Sequence, residues 1–518
     1  MSAAHPDVLP RFDGGEPDGL DRPADPDDRI AEPGHEDRFI GGLAESIGGS
    51  LGEHAVRRPR RIFTPVRIVL VLALLTFGAH WVQKYPCQDA SWSDWSQYKY
   101  FCYTDVVALY YAEGLDKGER PYFDHKVEYP VLTGALMGVV GLPVHNYAVA
   151  HPGEINEIIW FYNGTAFILF GFGLASIAVA LALRRRRPWD AAMIAVAPAV
   201  FVTATVNWDL FAIGLTALFM FAWARRHPWV AGLLLGLAAA AKFYPLFLAG
   251  PLIVLALRTK RWLHALITIG VGAVTWAAVN APVFFNAREG WNEFWRLSDE
   301  RGIDWGTFWY IGNHFPVGVE KYGIEPFNTL GGNIDLLNKV YQGLFVLCCV
   351  GIGALAVYAK RKPRIAQLNF LVIALFLLTS KVWSQQFVMW LIPLAVLARP
   401  KWGAFLAWQA AELIYFFSFY GELLTVSGKH IFQEWVFVFA ASCRWTTLAV
   451  LVALVIRDIL RPENDLVRRT YDDDPDGGVF DNAPDWVHLD KLRFWRYLFP
   501  RRVPAPAVEG DQPVATAS

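Results

Sequence analysis

The chain has 518 residues, of which 54 % are hydrophobic and 15 % aromatic, and its formal net charge is −1. This length alone would suggest several soluble domains, but the long apolar runs predict an all-α polytopic membrane protein instead. The nearly balanced charge excludes a global basic field, so nothing in the composition predicts a nucleic-acid partner.

The N-terminal residues 1–61 are acidic and rich in Gly and Pro, with almost no hydrophobic periodicity. This composition predicts a disordered cytoplasmic tail. The first apolar run, 66–82, follows the basic stretch RRPRR and has no cleavage site of the secretory type, so we expect a retained membrane anchor. The predicted transmembrane domain covers 62–457, and a second cytoplasmic tail covers 458–518.

Clusters of Arg and Lys recur between the apolar runs, and the positive-inside rule assigns them to the cytoplasm. The clusters are 57–61, 184–187, 225–226, 258–261, 360–364, 399–401 and 457–461. Threading the chain between them predicts twelve spans, at 66–83, 157–183, 189–206, 208–224, 229–241, 245–258, 262–281, 337–359, 365–380, 387–399, 402–420 and 431–456. Several are shorter than the ~20 residues of a straight span, so tilted or re-entrant elements are expected. The even number of crossings predicts that both termini are cytoplasmic.

One further apolar run, 130–147, would place the four arginines of 184–187 on the outside if it crossed the membrane. We therefore predict a juxtamembrane or re-entrant helix on the outer face. Two long outer loops result, 84–156 and 282–336, both dense in Trp, Tyr and Phe. In the C-terminal tail, the basic and aromatic segment 490–502 is predicted to lie on the inner leaflet, and the rest is predicted to be disordered.

The five cysteines are too few for a disulfide framework. Cys87 and Cys102 both follow the first span and could pair if that side of the membrane is oxidising, a question that the sequence leaves open. The other three lie in apolar runs and are expected to act as small hydrophobic residues.

Four polar clusters fall at the predicted outer ends of the helices. They are Asp105, the triplet Asn207-Trp208-Asp209, the stretch Lys242-Phe243-Tyr244-Pro245, and an island that contains Lys381, Trp383, Gln385 and Gln386. The two lysines break the charge rule, because the other membrane-flanking cations are assigned to the opposite side.

Each cluster also has a simpler interpretation. Asp105 could be one of many solvated loop carboxylates, Asn207 to Asp209 could be a turn with a helix N-cap, and Lys242 could extend to the interface. Lys381 is harder to explain in this way, because its polar neighbours lie in an otherwise apolar context.

Two further charged residues lie inside predicted spans. Glu412 is a functional candidate as an intramembrane carboxylate, although it could simply bond a neighbouring helix, with Arg444 as a possible partner. His80 and His264 lack partners at metal-ligand spacing, so no metal site is predicted.

The clusters, in this order, resemble the GT-C membrane glycosyltransferases, and in particular glycosyltransferase family 87, which includes actinobacterial polyprenyl-phosphate-mannose-dependent mannosyltransferases. The resemblance rests on Asp105 after Tyr103-Thr104, followed by ALYYAEGL and RPYFDHKVEYPVL, then on KFYP, and last on SKVWSQQFVMWLIPL. The chain has Val131 where the family commonly has a second proline, and Ser384-Gln385-Gln386-Phe387 where it often has Pro-Gln-Tyr. The resemblance implies a GT-C-like fold of about 12 transmembrane helices with an outer juxtamembrane helix.

The resemblance also implies inverting transfer of a sugar, with mannose favoured, from a polyprenyl-phosphate donor to a lipid-linked or cell-envelope glycan acceptor. The active site would face outward from the plasma membrane, with membrane lipids around it and without a metal or cofactor. Asp105 would be the catalytic base, with Asp209 as the second choice. Lys381 and Lys242 would bind the donor phosphate, and Arg288, Arg296 and Arg301 could add further contacts. The sugar or acceptor would contact Asn207, Trp208, Asp209, Tyr244, Trp383, Gln385 and Gln386.

Two other classes of protein are consistent with the same composition. A transporter or lipid flippase would also have about twelve spans, but it should show internal repeats or Gly/Pro-broken helices at matching places in two halves. The sequence shows no convincing repeat, and most of its polar residues cluster at one face rather than at the midplane. A non-catalytic membrane scaffold would leave the outward lysines unexplained. An arabinosyltransferase of the same fold is the alternative within the family resemblance.

Overall fold

The computed structural model describes residues 30–31, 33–48, 62–93, 95–318 and 321–486, and all structural statements below concern these residues. The structure is dominated by helices. In the described ranges, β1 (Pro316–Gly318) and β2 (Lys321–Tyr322) form one antiparallel pair, with Pro316 opposite Tyr322 and Gly318 opposite Lys321.

The α-helices in chain order are α1 (Pro33–Glu36), α2 (Arg38–Gly48), α3 (Pro65–Gln83), α4 (Tyr85–Asp89), α5 (Ser96–Lys99), α6 (Asp105–Ala112), α7 (Val131–Ala150), α8 (Glu157–Leu183), α9 (Ala192–Ala195), α10 (Pro198–Thr203), α11 (Asp209–Ala224), α12 (Pro228–Ala241), α13 (Ala249–Thr259), α14 (Trp262–Asn286), α15 (Arg288–Glu300), α16 (Phe308–Asn313), α17 (Phe327–Gly331), α18 (Ile334–Tyr358), α19 (Ile365–Thr379), α20 (Val388–Ala398), α21 (Trp402–Val426), α22 (Glu434–Leu460) and α23 (Leu466–Tyr471). Short 3₁₀ helices occupy Leu115–Lys117, Pro188–Ala191, Tyr244–Leu248, Gln385–Phe387, Pro462–Asn464 and Gly478–Phe480.

Helices occur at all twelve predicted spans, but not all of them are long enough to cross a membrane alone. Six helical segments of the described chain are sufficiently long and apolar, namely Pro65–Asp89, Val131–Ala150, Glu157–Leu183, Trp262–Asn286, Ile334–Tyr358 and Glu434–Leu460. The predicted span 189–206 is divided into short helical pieces, with Pro198 at the first turn of α10, where the missing N–H of proline is tolerated. The structure therefore indicates a polytopic membrane protein, and twelve crossings stays a prediction.

Close packing of α12 against α14 depends on glycine. A Cβ atom added at Gly236 would lie 2.5 Å from the backbone oxygen of Gly272, and one at Gly232 would lie 2.6 Å from that of Thr268. Small residues let two helix backbones approach closely, which is common between helices in membranes.

Helices α8, α11 and α20 run between two chemically different ends of the bundle. At the site end, α11 begins at Asp209 and α12 ends just before Lys242. At the arginine end, α8 is followed by Arg184 and α19 is preceded by Arg364. We call these two regions the site end and the arginine end.

Helix α7, which contains most of the predicted juxtamembrane segment, has both of its ends at the site end. The Thr133 hydroxyl near its start donates to the carbonyl of Ala241 at 2.6 Å. Near its end, His145 Nδ1 lies 2.8 Å from the Glu157 carboxylate at the start of α8. Although its length and composition would permit a membrane crossing, these contacts support a helix that lies across the site end.

The C-terminal strap, residues 462–486, packs on the arginine end, so the prediction of disorder is wrong for this part of the tail. Arg364 Nε donates to Asp465 at 2.7 Å, and Arg258 Nε donates to Asp485 at 2.8 Å. Arg184 is bound in the same way by Asp476. The acidic composition that suggested disorder instead supplies carboxylates to buried guanidinium groups. The predicted interfacial segment 490–502 lies outside the described residues.

Disorder is also the wrong prediction for residues 33–48, which form α1 and α2. The Asp37 carboxylate accepts the backbone N–H of Trp402 at 2.7 Å, and this N–H belongs to the unpaired first turn of α21. The backbone N–H of Ala31 donates to the carbonyl of Arg186 at 2.8 Å. Hydrogen bonds to the bundle thus hold this N-terminal segment in place.

Candidate active site

Asp105 begins α6, and hydrogen bonds join the start of this helix to the turn before α11. The hydroxyl of Thr104 accepts the N–H of Val106 at 3.2 Å, which makes Thr104 an N-cap. The same hydroxyl donates to the carbonyl of Thr205 at 2.6 Å. The N–H of Asp105 donates to the carbonyl of Val206, also at 2.6 Å. Asp105 therefore lies beside the Asn207-Trp208-Asp209 turn, 102 to 104 positions later in the sequence.

The Asn207-Trp208-Asp209 turn has a structural and an electrostatic part. The side-chain oxygen of Asn207 accepts the N–H of Asp209 at 2.9 Å at the start of α11, as the turn interpretation predicts. The Asp209 carboxylate is fully buried and lies 2.9 Å from the Lys242 ammonium. This turn thus contributes a buried ion pair to the site end.

Lys242 turns toward Asp209 within a group of aromatic rings. Its Nζ lies 4.7 Å from the centroid of the Tyr129 ring, 5.3 Å from that of Phe387 and 5.7 Å from that of Trp390. Ring faces attract a cation electrostatically, and more strongly where water is excluded. Lys242 is therefore held at the site end by an ion pair and by aromatic rings.

Asp105 is partly buried, and the loss of hydration raises its pKa to about 7. A hydrogen bond from Tyr103 and the positive charge of Lys242 lower the pKa of Asp105, whereas the nearby Glu128 carboxylate raises it. The side-chain nitrogen of Gln386 lies 3.5 Å from the Asp105 carboxylate. A carboxylate with a pKa near neutrality is suited to accept a proton at physiological pH.

Arg444 holds the backbone of the polar island in place at Trp383 and Ser384. This guanidinium donates to the carbonyls of Trp383 at 2.9 Å and Ser384 at 3.1 Å. Its Nε donates to Glu412 at 2.9 Å, which confirms the pairing considered from the sequence. Glu412 and Arg444 are thus structural partners that fix the backbone before the two glutamines.

Gln385 and Gln386 are buried at the site end, at the start of a short 3₁₀ helix. Gln385 donates to the Tyr420 hydroxyl at 3.5 Å, whereas Gln386 reaches Asp105. The structure therefore places the last polar cluster of the sequence, which contains Gln386, next to the first, which is Asp105.

Lys381 has different partners from Lys242. Its ammonium donates to the carbonyl of Asp299 at 2.9 Å and lies 5.7 Å from the centroid of the Tyr341 ring. Burial lowers the pKa of Lys381, and it forms no ion pair in the described part of the chain. The contacts of Lys381 connect it to α15 and α18 rather than to Lys242 or Asp209.

Of the three arginines considered as additional phosphate ligands, one is connected to the site. Arg301 lies 3.8 Å from the Glu128 carboxylate, which in turn affects Asp105. Arg296 pairs with Glu293 at 2.5 Å and with Glu300 on the exposed face of α15. Arg288 lies over the Phe284 ring, with 3.8 Å between the guanidinium carbon and the ring centroid.

The three aromatic residues predicted to stack on sugars pack against protein groups. Trp208 meets Tyr129 edge to face at 5.6 Å, and Tyr244 stacks on Trp390 at 4.5 Å between ring centroids. Trp383 is fully buried and lies 4.1 Å from the Arg444 guanidinium. Stacking on a sugar stays a prediction for them, and it would require these rings to be uncovered.

An aromatic cleft opens beside Lys242. It is lined by Tyr122, Tyr129, Pro130, Val131, Ala239, Phe243, Trp276, Asn280, Trp291, Phe294 and Trp295. In the sequence, the aromatic density of the outer loops is the only signal of such a surface, and it does not give a location. Tyr103, Glu128 and Tyr129 were not predicted as neighbours of Asp105, although all three lie in the stretches that carry the family resemblance.

A disulfide joins Cys87 and Cys102, with 6.1 Å between their Cα atoms, which answers the pairing question left open by the sequence. The bond connects the middle of α4 to the segment just before Asp105. Within the described residues, no group of three or more His, Cys, Asp or Glu side chains could hold a metal ion. The expected lack of a metal requirement stays a prediction.

The comparisons with known proteins agree with the resemblance seen in the motifs. The family model described as glycosyltransferase family 87 matches residues 155–380. This segment contains the Asn207 turn and Lys242 but not Asp105, and it ends one residue before Lys381. No curated protein matches the chain. The match indicates a glycosyltransferase, and over residues 155–380 the chain resembles glycosyltransferase family 87.

Proposed function

We propose that the chain transfers a sugar, with mannose favoured, from a polyprenyl-phosphate donor to a lipid-linked or cell-envelope glycan acceptor, with inversion at the anomeric carbon. The observation that carries this proposal is the convergence of Asp105, Asp209 and Lys242 beside an aromatic cleft. In this proposal the site end faces outward from the plasma membrane, and the arginine end faces the cytoplasm.

Asp105 would act as the general base. As the acceptor hydroxyl oxygen attacks the anomeric carbon, its proton moves to the Asp105 carboxylate, and the bond from the anomeric carbon to the phosphate oxygen breaks. Tyr103 and Gln386 keep the carboxylate oriented. The polyprenyl phosphate then leaves with the bonding electron pair.

Lys242 would hold the donor phosphate and stabilise the negative charge that grows on it. Its ammonium is fixed by Asp209 before the donor binds, so little reorganisation is required during the reaction. Lys381 would serve as a second phosphate ligand only if its bond to the carbonyl of Asp299 is released. The structure therefore favours Lys242 over Lys381 for this role.

In this proposal the apolar part of a lipid-linked donor contacts the aromatic cleft next to Lys242. Phe243 follows Lys242 directly, and its ring meets that of Trp295 on α15 at 5.5 Å between centroids. A prenyl chain that occupied this cleft would place its phosphate beside the lysine and its tail against aromatic rings. Mannose is favoured over a pentose because the motifs resemble those of mannosyltransferases, and an arabinosyltransferase is the alternative.

The test is sugar transfer by membranes that contain the chain, with radiolabelled polyprenyl-phosphate-mannose as donor and extracted lipids as acceptors. Wild type should form a labelled product, and Asp105→Asn should lower kcat by about 10²–10⁴-fold, the usual contribution of a general base. Asp89→Asn is the matched control, because Asp89 is an exposed aspartate in the same predicted loop.

Three outcomes would revise the proposal. Full activity of Asp105→Asn would place the base elsewhere, with Asp209 tested next. Transfer only from polyprenyl-phosphate-arabinose would replace the sugar but keep the mechanism. Transfer from neither donor would contradict the proposed reaction.

A further inference from the structure

Lys84 is a buried cation near Asp105 that none of the sequence motifs included. It follows α3 directly, and its side chain has no exposed surface. It forms no ion pair in the described part of the chain, and its ammonium donates to the carbonyl of Tyr103 at 3.0 Å. A buried ammonium without a carboxylate partner is expensive to maintain, which makes a contribution to the neighbouring site worth testing.

The segment before Asp105 is held by the end of α3 at more than one point. Gln83 donates to the carbonyl of Phe101 at 2.6 Å, and Lys84 donates to that of Tyr103 two residues later. Phe101 has a φ of 57°, in the left-handed region that non-glycine residues rarely adopt. Such a backbone persists only where surrounding contacts fix it, and these donors supply such contacts.

Lys84 and Asp105 also interact electrostatically. Other titratable or charged groups face Asp105 from several elements, and the structure places Tyr103, Glu128, Tyr129, Asp209, Lys242 and Tyr420 among them. Burial lowers the pKa of Lys84 to about 7, and the Asp105 carboxylate opposes this shift, so Lys84 becomes more fully charged as the pH falls below 7. Since Lys242 is already paired with Asp209, Lys84 is then a positive charge near Asp105 without an ion-pair partner in the described part of the chain.

We infer that Lys84 is a positioning residue for Asp105: it fixes the turn before α6 through the carbonyl of Tyr103, and its charge favours the ionised carboxylate that accepts the proton. The inference rests on the proposed function, because it assumes that Asp105 is the base. It adds a residue from outside the segment that matches the family model and outside the motifs that carry the resemblance.

Three substitutions separate the two contributions of Lys84. Lys84→Met removes both the charge and the donor, Lys84→Gln keeps a donor without the charge, and Lys84→Arg keeps the charge. The control is Lys99→Met, which removes an exposed lysine from the same predicted loop and should leave activity unchanged. Transfer from labelled polyprenyl-phosphate-mannose is measured as a function of pH for each variant, after a thermal-shift assay has shown that it is folded.

We expect Lys84→Met to move the acidic limb of the kcat/KM profile upward by about one pH unit, because an opposite charge nearby favours the ionised form of a carboxylate. The apparent KM for the donor should stay near that of wild type. Lys84→Gln should move the limb equally with a smaller loss of kcat at high pH, and Lys84→Arg should restore its position. The shift should be absent from Lys99→Met.

A purely structural lysine at the end of α3 would lower activity or stability without moving the pH limb. An unmoved limb in Lys84→Gln therefore overturns the inference, even if Lys84→Met does not fold. If wild type transfers sugar and Asp105→Asn does not, an unmoved limb refutes the role of Lys84 alone. If wild type transfers nothing, the proposed function fails and the role of Lys84 fails with it.

Discussion

The two ends of the bundle handle buried charge in different ways. At the arginine end, Arg184, Arg258 and Arg364 are fully buried, and each meets both a carboxylate of the C-terminal strap and a backbone carbonyl. At the site end, Lys84 and Asp105 form no ion pair among the described residues. Matched charges stabilise a structure, whereas incompletely matched charges remain able to interact with a substrate.

The carbonyls at the arginine end come from the last turns of helices. Arg184 and Arg364 both donate to Leu397 near the end of α20, and Arg258 donates to Ala356 near the end of α18. These carbonyls lack partners within their own helices. The strap and the arginines thus close helix ends as well as neutralising charge.

The largest effect is expected from breaking a matched pair at the arginine end. Arg184→Met should leave Asp476 buried without its closest partner and lower the free energy of unfolding by about 3–5 kcal/mol. Denaturant unfolding in detergent micelles would measure this loss. Arg296→Met, which removes an exposed pair on α15, is the control and should cause no measurable change. Equal stability of the two variants would contradict the contrast between the ends.

Breaking the pair at the site end should affect transfer as well as stability. Lys242→Met should lower kcat by about 10²–10³-fold, the usual effect of removing one group that stabilises transition-state charge. The double variant Lys242→Met/Asp209→Asn should regain stability, because no unpaired carboxylate remains buried, but should stay inactive. Recovery of activity in the double variant would remove Lys242 from the proposed mechanism.

The disulfide should stabilise the site end more modestly. Its cysteines are 15 residues apart, and a loop of that size predicts about 3 kcal/mol of stabilisation in the chain-entropy model. Cys87→Ser/Cys102→Ser should therefore unfold at lower denaturant concentration and transfer sugar more slowly, since the segment before Asp105 is released. Cys443→Ser, in α22, provides a control without a disulfide. Unchanged stability of the double variant would show that the bond does not constrain this segment.

The smallest expected effect is the pH dependence of the wild-type enzyme. Because burial raises the pKa of Asp105 to about 7, about half of this base is ionised at neutral pH. Only the ionised form accepts a proton, so kcat/KM should rise about tenfold per pH unit below 7 and level off above it. Initial rates between pH 5 and 9 would measure the profile. A limb near pH 4 would indicate a solvated carboxylate instead.

The sequence predicted the helices because these depend on local patterns. Apolar runs located the spans, and the arginine clusters led to the prediction that 130–147 lies at one end, which the contacts of Thr133 and His145 support. The motifs named Asp105 and Gln386, which the structure places together although 281 positions separate them. The family match supports the class of protein but does not cover the first of these residues.

The order of the C-terminal strap and the partners of Lys381 and Lys84 depend on long-range pairing, which composition does not encode. The acidic strap has the composition of a disordered tail, and only its partners, such as Arg184 and Arg364, explain its order. Lys381 had the most distinctive sequence context among the lysines, yet it donates to the backbone carbonyl of Asp299 and forms no ion pair among the described residues. Lys84 lacked any motif, and its proximity to Asp105 follows from the way the loop folds back on α3.

One measurement tests the contrast between the ends most directly: sugar transfer and denaturant unfolding, determined together for Asp105→Asn and Asp476→Asn. We predict that Asp105→Asn loses transfer but unfolds like wild type, because the Asp105 carboxylate forms no ion pair among the described residues. We predict that Asp476→Asn loses stability but that its folded fraction transfers sugar at a rate close to that of wild type. Loss of transfer in the folded fraction of Asp476→Asn, together with full activity in Asp105→Asn, would contradict the assignment of catalysis to the site end and of stability to the arginine end.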